Sequence, residues 1–323
     1  RASEPYCSFS RSHRPVLPPS FMNQSAAAAA YLKENGVPAF TEPSALFSSG
    51  TVDAVAICTP SGLHAPIAEE ALRAGISAIV EKPMAITPET LDRLLSAAEQ
   101  SPAMLCPISQ LRFCPDIARA KKLIENGKLG QIRMADLSMK YWRDDEYYKE
   151  KPWRGTLTFD GGGALMNQGI HGVDFLRYLC GEAEVVGAYA DTLVHPIETE
   201  DTLAASLRFW NGSLGVLTAS TATYPGFPRR IEICGDKGFL TLEEGTLVAC
   251  SDPSVEVSLP GDAGGHREAF AIAYEPHRLQ YKNVANALEG KEPLLVTAAD
   301  AAGTLRLIFE IYRVCARAKE KTI

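Results

Sequence analysis

The stretch from Val52 to Pro83, VDAVAICTPSGLHAPIAEEALRAGISAIVEKP, decides the fold. Val52–Cys58 is a short apolar run with β-branched residues at its centre, which predicts a buried strand. Thr59-Pro60-Ser61 breaks it. From His64 to Ala74 the apolar residues return at helical spacing and stop at Gly75. Ser77–Glu81 predicts a second buried strand, closed by Pro83. Strand, helix and strand in this order make a right-handed crossover between parallel strands. Ligands on such sheets bind beyond the carboxyl ends of the strands, where Thr59-Pro60 and Glu81-Lys82-Pro83 both lie.

Outward from this unit the alternation continues. Upstream, Ser25 to Asn35 reads as an alanine-rich helix ended by Asn35-Gly36. Downstream, Thr87-Pro88 predicts a helix start with a threonine N-cap and proline at N1. A strand at Leu105 and a helix from Cys114 to Asn126 come next. After Gly130 the texture changes: Ile132 to Trp142 alternates as a half-buried strand does, Ala164 to Leu179 is helical, and further alternating runs lie at 185–193, 202–209, 213–222, 229–234 and 238–242. Asn211-Gly212 and Asp236-Lys237-Gly238 read as turns between them. Helices over 274–288 and 298–318 close the chain. The expected fold class is therefore α/β: a Rossmann-type parallel-sheet domain, N-terminally incomplete, plus an α+β domain with an open, mostly antiparallel sheet. The expected division is an irregular segment at 1–21, the Rossmann-like domain at 22–110, the open-sheet domain at 111–292, and a C-terminal helix at 293–323 packing back on the first domain.

Composition narrows the function. A chain of 323 residues is long enough for two domains. Its net charge of −7 argues against a nucleic-acid partner. No apolar run approaches the roughly 20 residues that span a bilayer. The eight cysteines are scattered and form no C-x-x-C, which predicts a reducing cytoplasm, no disulfide frame and no metal site. The stretch to Phe21 holds four prolines and no continuous apolar core, so it reads as a fragment start or an altered front rather than a signal peptide.

Two places carry chemistry. Lys82 follows a β-branched strand and precedes a proline, so its ammonium can leave the strand end into a crevice, bridge hydroxyls and stabilise charge developing on oxygen. The same position also suits a solvated loop lysine. His171 lies four residues after Asn167 and three before Asp174, spacings that put all three near one helical face. An imidazole there suits proton transfer near neutral pH, with Asp174 orienting it or binding substrate. It equally suits a core histidine satisfied by a backbone carbonyl. Gly161-Gly162-Gly163 ahead of it would let backbone approach a ligand and leave free N–H groups for it. Tyr141, Trp142, Arg143, Trp153 and Arg154 mix aromatic and guanidinium groups that suit sugar faces and phosphates, or a solvated rim. His64 opens a helix, as a cofactor contact or a cap.

These stretches, together with Gly127–Ile132 and the closing 293–316, make the chain similar to the Gfo/Idh/MocA oxidoreductases from about Met22 to the end. The resemblance implies NAD or NADP as cofactor, with a sugar, nucleotide sugar or cyclitol exchanging a hydride at a secondary carbon. It implies proton transfer by Lys82 and His171. Many relatives carry an aspartate where this chain has Asn167, so Asn167 would position substrate together with Asp174, Tyr141 and Arg143. Cofactor contacts would fall to Cys58, Thr59, Pro60, His64, Glu81, Lys82, Gln110, Trp153 and Arg154. A homo-oligomer through the open sheet is expected.

One departure stands out: no G-x-G-x-x-G occurs anywhere in the chain. That loop gives the pyrophosphate several charge-assisted hydrogen bonds, each worth about 1.5–3 kcal/mol. The expectation is that the chain as written binds dinucleotide weakly or folds poorly. The alternatives are a non-catalytic relative that senses a sugar or cofactor, and a defective fragment without the phosphate loop.

Overall fold

The computed structural model describes residues 8–9, 34, 40, 42–257 and 274–320. The helix expected over 25–35 lies outside them, apart from the helical Glu34. The chain divides into two compact units. One draws on Arg1–Ile108 and Asn283–Ala301, the other on Ser109–Lys282 and Ala302–Ile323.

The first unit holds a four-stranded sheet in the order β1-β2-β3-β4: Ser8–Phe9, Ala54–Ile57, Ser77–Val80 and Leu105–Pro107. The last three run parallel, with Ala54 opposite Ser77 and Ala78 opposite Leu105. β1 pairs antiparallel with β2 through Ser8 and Phe9, so at least that dipeptide of the front segment forms a strand. Every residue of β2 and β3 is buried, which is why both read as unbroken apolar runs rather than alternating ones. Helix α1 (Pro43–Ser48), α2 (His64–Arg73) and α3 (Pro88–Gln100) belong to this unit. The start of α3 is a reciprocal cap: Thr87 accepts from the Thr90 N–H at 3.2 Å, and Thr90 Oγ1 accepts from the Thr87 N–H at 3.1 Å.

The second unit is built on a seven-stranded sheet in the order β11-β10-β9-β5-β8-β7-β6. Its strands are β5 (Ile132–Lys140), β6 (Ala183–Asp191), β7 (Thr202–Phe209), β8 (Leu214–Ser220), β9 (Arg230–Gly235), β10 (Phe239–Glu243) and β11 (Thr246–Cys250). All pairings are antiparallel except β5 with β8. β7 alternates strictly between buried and exposed residues, so one sheet face is covered and the other open. Helices α4 (Pro115–Glu125) and α5 (Asp145–Lys149), a π-helix (Ala164–Gly169) and α6 (Ile170–Cys180) lie in this unit. Two further helices, α7 (Tyr274–Leu288) and α8 (Ala298–Glu320), each run through residues of both units.

The covered face is set by close packing. Gly172 on α6 sits so near β5 that a Cβ there would lie 2.7 Å from Leu137 Cδ1 and 3.2 Å from Arg229 Cδ. Only glycine permits this approach. Gly172→Val should destabilise the fold by about 1–3 kcal/mol through overpacking. A melting temperature equal to that of the parent in differential scanning calorimetry would contradict this packing.

Candidate functional site

In the first unit the candidate residues collect at the carboxyl ends of β2 and β3. The Glu81 N–H still donates to the Ile57 carbonyl, which keeps the two strand ends side by side. Beyond them run Cys58-Thr59-Pro60 and Glu81-Lys82-Pro83. Lys82 is half-buried, its N–H donates to Glu81 Oε2 at 3.1 Å, and the Lys82–Pro83 peptide is cis. His64 neither caps α2 nor presents a free nitrogen. Its Nδ1 lies 2.7 Å from the Pro83 carbonyl and its Nε2 2.7 Å from the Thr59 carbonyl. Burial lowers its pKa, opposed by the hydrogen bonding to the two carbonyls. This corrects the expectation of His64 as a cofactor contact: it fixes the two loops to each other.

Thr59 bears on whether a dinucleotide fits here. Its hydroxyl is buried and has no hydrogen-bond partner. Buried polar groups are normally satisfied. A hydroxyl left open between Cys58 and Pro60, at a parallel strand end, fits a ligand rich in hydroxyls and phosphates. In the second unit Gln110, in a short 3₁₀ turn, is buried with its side-chain carbonyl likewise unpartnered. Both are residues that the sequence marks as cofactor contacts.

The second unit holds the histidine helix. Gly163, the residue before the π-helix, has no side chain to cap it, and the first N–H groups find their acceptors elsewhere. Gly163 donates to Glu200 Oε2 at 2.8 Å, Leu165 to Glu200 Oε1 at 2.9 Å and Ala164 to the Glu200 carbonyl at 2.9 Å. Met166 donates to the Tyr312 hydroxyl at 3.2 Å, which itself donates to Glu200 Oε1 at 2.9 Å. The expectation that the glycine run leaves N–H groups for a ligand is therefore corrected. The glycines admit protein: a Cβ on Gly163 would overlap the Glu200 carbonyl, and one on Gly162 the Tyr312 hydroxyl. Burial pushes the Glu200 pKa up, opposed by the Leu165, Gly163 and Tyr312 hydrogen bonds, which favour the carboxylate.

His171 is the second residue of α6 and is half-buried. Asn167 and Gln168, on the π-helix, join a polar cluster. Asn167 Nδ2 donates to Asp160 Oδ1 at 2.5 Å, while Asp160 Oδ2 accepts from the Gly155 N–H at 2.8 Å. Gln168 accepts from Arg143 at 3.0 Å and donates to the Tyr147 hydroxyl at 2.6 Å. The Arg143 guanidinium lies over the Tyr141 and Tyr147 rings at 5.0 and 5.4 Å, and its buried Nε has no partner. Arg154 stacks on Tyr147 at 3.9 Å. Trp153, half-buried, turns its carbonyl to Thr156. The structure thus gathers Arg143, Arg154 and Asn167 around three residues not singled out in the sequence: Tyr147, Asp160 and Gln168.

Two expected substrate contacts have their polar groups committed to other protein groups. Asp174 is 3% exposed and its oxygens accept from Arg112 at 2.8 and 2.6 Å, Ser109 at 2.6 Å and Thr304 at 2.9 Å. A carboxylate with four donors has no capacity left for substrate; this corrects the reading of Asp174. Tyr141 is buried with its hydroxyl committed to Glu244 at 2.6 Å, and burial drives its pKa up. Its ring supports Arg143, which corrects its reading as a substrate hydroxyl contact. Among the described residues, no group of three His, Cys, Asp or Glu could hold a metal ion.

Residues 19–108 match the model described as the oxidoreductase family, NAD-binding Rossmann fold, and residues 117–241 match the GFO/IDH/MocA C-terminal domain. The WlbA dehydrogenase from Bordetella pertussis, solved in complex with NADH and UDP-GlcNAcA, is 31% identical. It superimposes with a TM-score of 0.81 over 93% of this chain and 87% of that one. Myo-inositol 2-dehydrogenase from Thermotoga maritima is 27% identical over 83% of this chain and 79% of its own length. The uncharacterized oxidoreductase YrbE of Bacillus subtilis is 31% identical over 58% of this chain. The matched stretch spans 54% of YrbE and 43% of a Comamonas testosteroni dehydrogenase that is 35% identical, about half their lengths. The chain belongs to the Gfo/Idh/MocA family of oxidoreductases.

Asp174→Ala should cost about 3–5 kcal/mol of stability, because it leaves Arg112 charged and buried without its partner. Chemical denaturation measures this. An undiminished midpoint, with a raised KM for the sugar instead, would return Asp174 to the substrate.

Proposed function

We propose that this chain is an NAD(P)-dependent oxidoreductase that transfers a hydride between nicotinamide and a secondary hydroxyl of a sugar, nucleotide sugar or cyclitol. The reading is supported by family membership and by the named activities of relatives such as WlbA and myo-inositol 2-dehydrogenase. The observation that carries it is the polar cluster of Asn167, Gln168, Asp160, Arg143 and Tyr147 on and around the helix that bears His171. Amides, a guanidinium and a tyrosine interlocked in this way suit a polyhydroxylated molecule, whose hydroxyls both donate and accept.

When bound, the dinucleotide supplies hydride exchange at nicotinamide. Thr59 would hold it in the first unit, with Cys58, Pro60, Glu81 and Lys82, and Gln110, Trp153 and Arg154 would do so in the second. In oxidation the substrate carbon gives up a hydride and its hydroxyl a proton, leaving a ketone. His171 takes that proton and returns it in reduction. The Lys82 ammonium stabilises the negative charge that gathers on the oxygen. Asn167 cannot take a proton; it orients substrate hydroxyls.

The open sheet face carries exposed Met134, Tyr189, Leu214, Val216 and Phe239. Exposed apolar side chains on this face fit a second copy of the chain. The free thiols among the described cysteines fit a reducing cytoplasm.

His171→Ala should lower kcat by about 10²–10⁴-fold while leaving NADH affinity nearly unchanged. Lys82→Met should act in the same direction. A panel of sugars and cyclitols assayed by nicotinamide absorbance tests this. Undiminished turnover in the His171 variant would remove it from the reaction.

A further inference from the structure

The helix bearing His171 is held at two points, and the stretch between them is the one that departs from α geometry. On one side Gly172 is pressed against Leu137, and Asp174 is bound by Arg112, Ser109 and Thr304. On the other, Glu200 takes the N–H groups of Gly163 and Leu165 on its two side-chain oxygens and that of Ala164 on its carbonyl. Between these clamps, Ala164–Gly169 adopts a π-helix, whose i→i+5 ladder accommodates one more residue than an α-helix would. A π-segment sets the phase of the helix after it: losing one residue of offset turns that helix by about 100°. The direction of the His171 side chain therefore depends on where the N-terminal clamp holds Gly163–Leu165.

We infer that Glu200 is a positioning residue for His171. It acts through the start of the helix and touches no reacting atom. The side chain is buried, with 9% of the residue exposed, so water does not replace its carboxylate when it is removed. A carboxylate is also favoured by the positive end of the helix dipole. Tyr312 completes the clamp, because its hydroxyl both accepts from Met166 and donates to Glu200. The adjacent Asp201 does the corresponding work on another loop, accepting the N–H groups of Leu193, Val194 and His195. Two consecutive residues just ahead of β7 thus organise a helix start and a loop. This inference rests on the proposed role of His171 and adds a residue to it.

The test is a set of kinetic measurements on the full chain with Glu200→Gln, Tyr312→Phe, His171→Ala and the double variant His171→Ala with Glu200→Gln. Glutamine keeps the size of Glu200 but turns an N–H₂ group toward a backbone N–H, so one donor loses its acceptor. Glu200→Gln is expected to lower kcat about 10²-fold, as a small misplacement of a reacting group does. NADH affinity should stay within about twofold, and melting should remain cooperative. In the double variant the Glu200 substitution should cost nothing beyond His171→Ala, because there is no imidazole left to misplace. A purely structural defect would instead multiply the two losses. A folded Glu200→Gln with kcat within about twofold of the parent, or losses that multiply, would overturn the inference. Should Glu200→Gln fail to fold, Tyr312→Phe decides by the same criteria, with an expected loss of roughly tenfold. Full turnover in His171→Ala would instead defeat the underlying catalytic reading, so the two failures are separable.

Discussion

A helix that starts inside a protein must find acceptors for its first N–H groups, and no water is at hand to supply them. In this chain Glu200 and Tyr312 supply all of them, from residues 163 to 166. The glycines at 161–163, the π-segment and the placement of His171 answer to that requirement. A residue with a Cβ at Gly162 or Gly163 would push the acceptors away. A helix start capped by solvent would sit at the surface and could not present Asn167 and Gln168 to the Arg143–Tyr147 cluster.

The same economy of buried polar groups explains which residues serve structure. Asp174 and Arg112 form an ion pair that is almost wholly desolvated, tolerable because Ser109 and Thr304 fill the remaining acceptor sites of the carboxylate. His64 ties the loops after β2 and β3. By contrast, Thr59 Oγ1, Gln110 Oε1 and Arg143 Nε are buried and unpartnered. Groups of this kind are expected where a ligand completes the hydrogen bonding. Of the five such atoms among the described residues, these three belong to residues that the sequence marks as ligand contacts, whereas His195 Nδ1 and Thr199 Oγ1 do not.

Most of the fold is legible in the sequence because its signals are local. β2 and β3 announce themselves as short apolar runs, β7 as a strict alternation over Thr202–Phe209, and α3 by Thr87-Pro88. The elements that escape carry weak local signals. β11 is a five-residue strand, mostly half-buried, behind the tight turn at Glu244-Gly245, and α5 is a five-residue acidic stretch. A π-helix differs from an α-helix in hydrogen-bond register rather than composition, so nothing in Ala164–Gly169 betrays it. Among the candidate residues, Lys82, His171, Asn167 and Arg143 are picked out by motif, spacing and composition. Asp174 is misassigned because spacing from His171 says nothing about Arg112, 62 residues away in sequence. Glu200 escapes for the same reason, 37 residues from Gly163. Its one visible trace is two consecutive acids ahead of an apolar strand.

Amide hydrogen exchange on the chain without ligands addresses the central claim most directly, since it reads each backbone N–H in turn. If the protein itself closes the start of the helix that leads to His171, the amides of Gly163, Leu165 and Met166 exchange slowly in the parent. In Glu200→Gln they should speed up by roughly tenfold or more, while those of β8 hold their rates. Fast exchange of these amides in the parent, at the rate of an exposed turn such as Asn211-Gly212, would contradict the account.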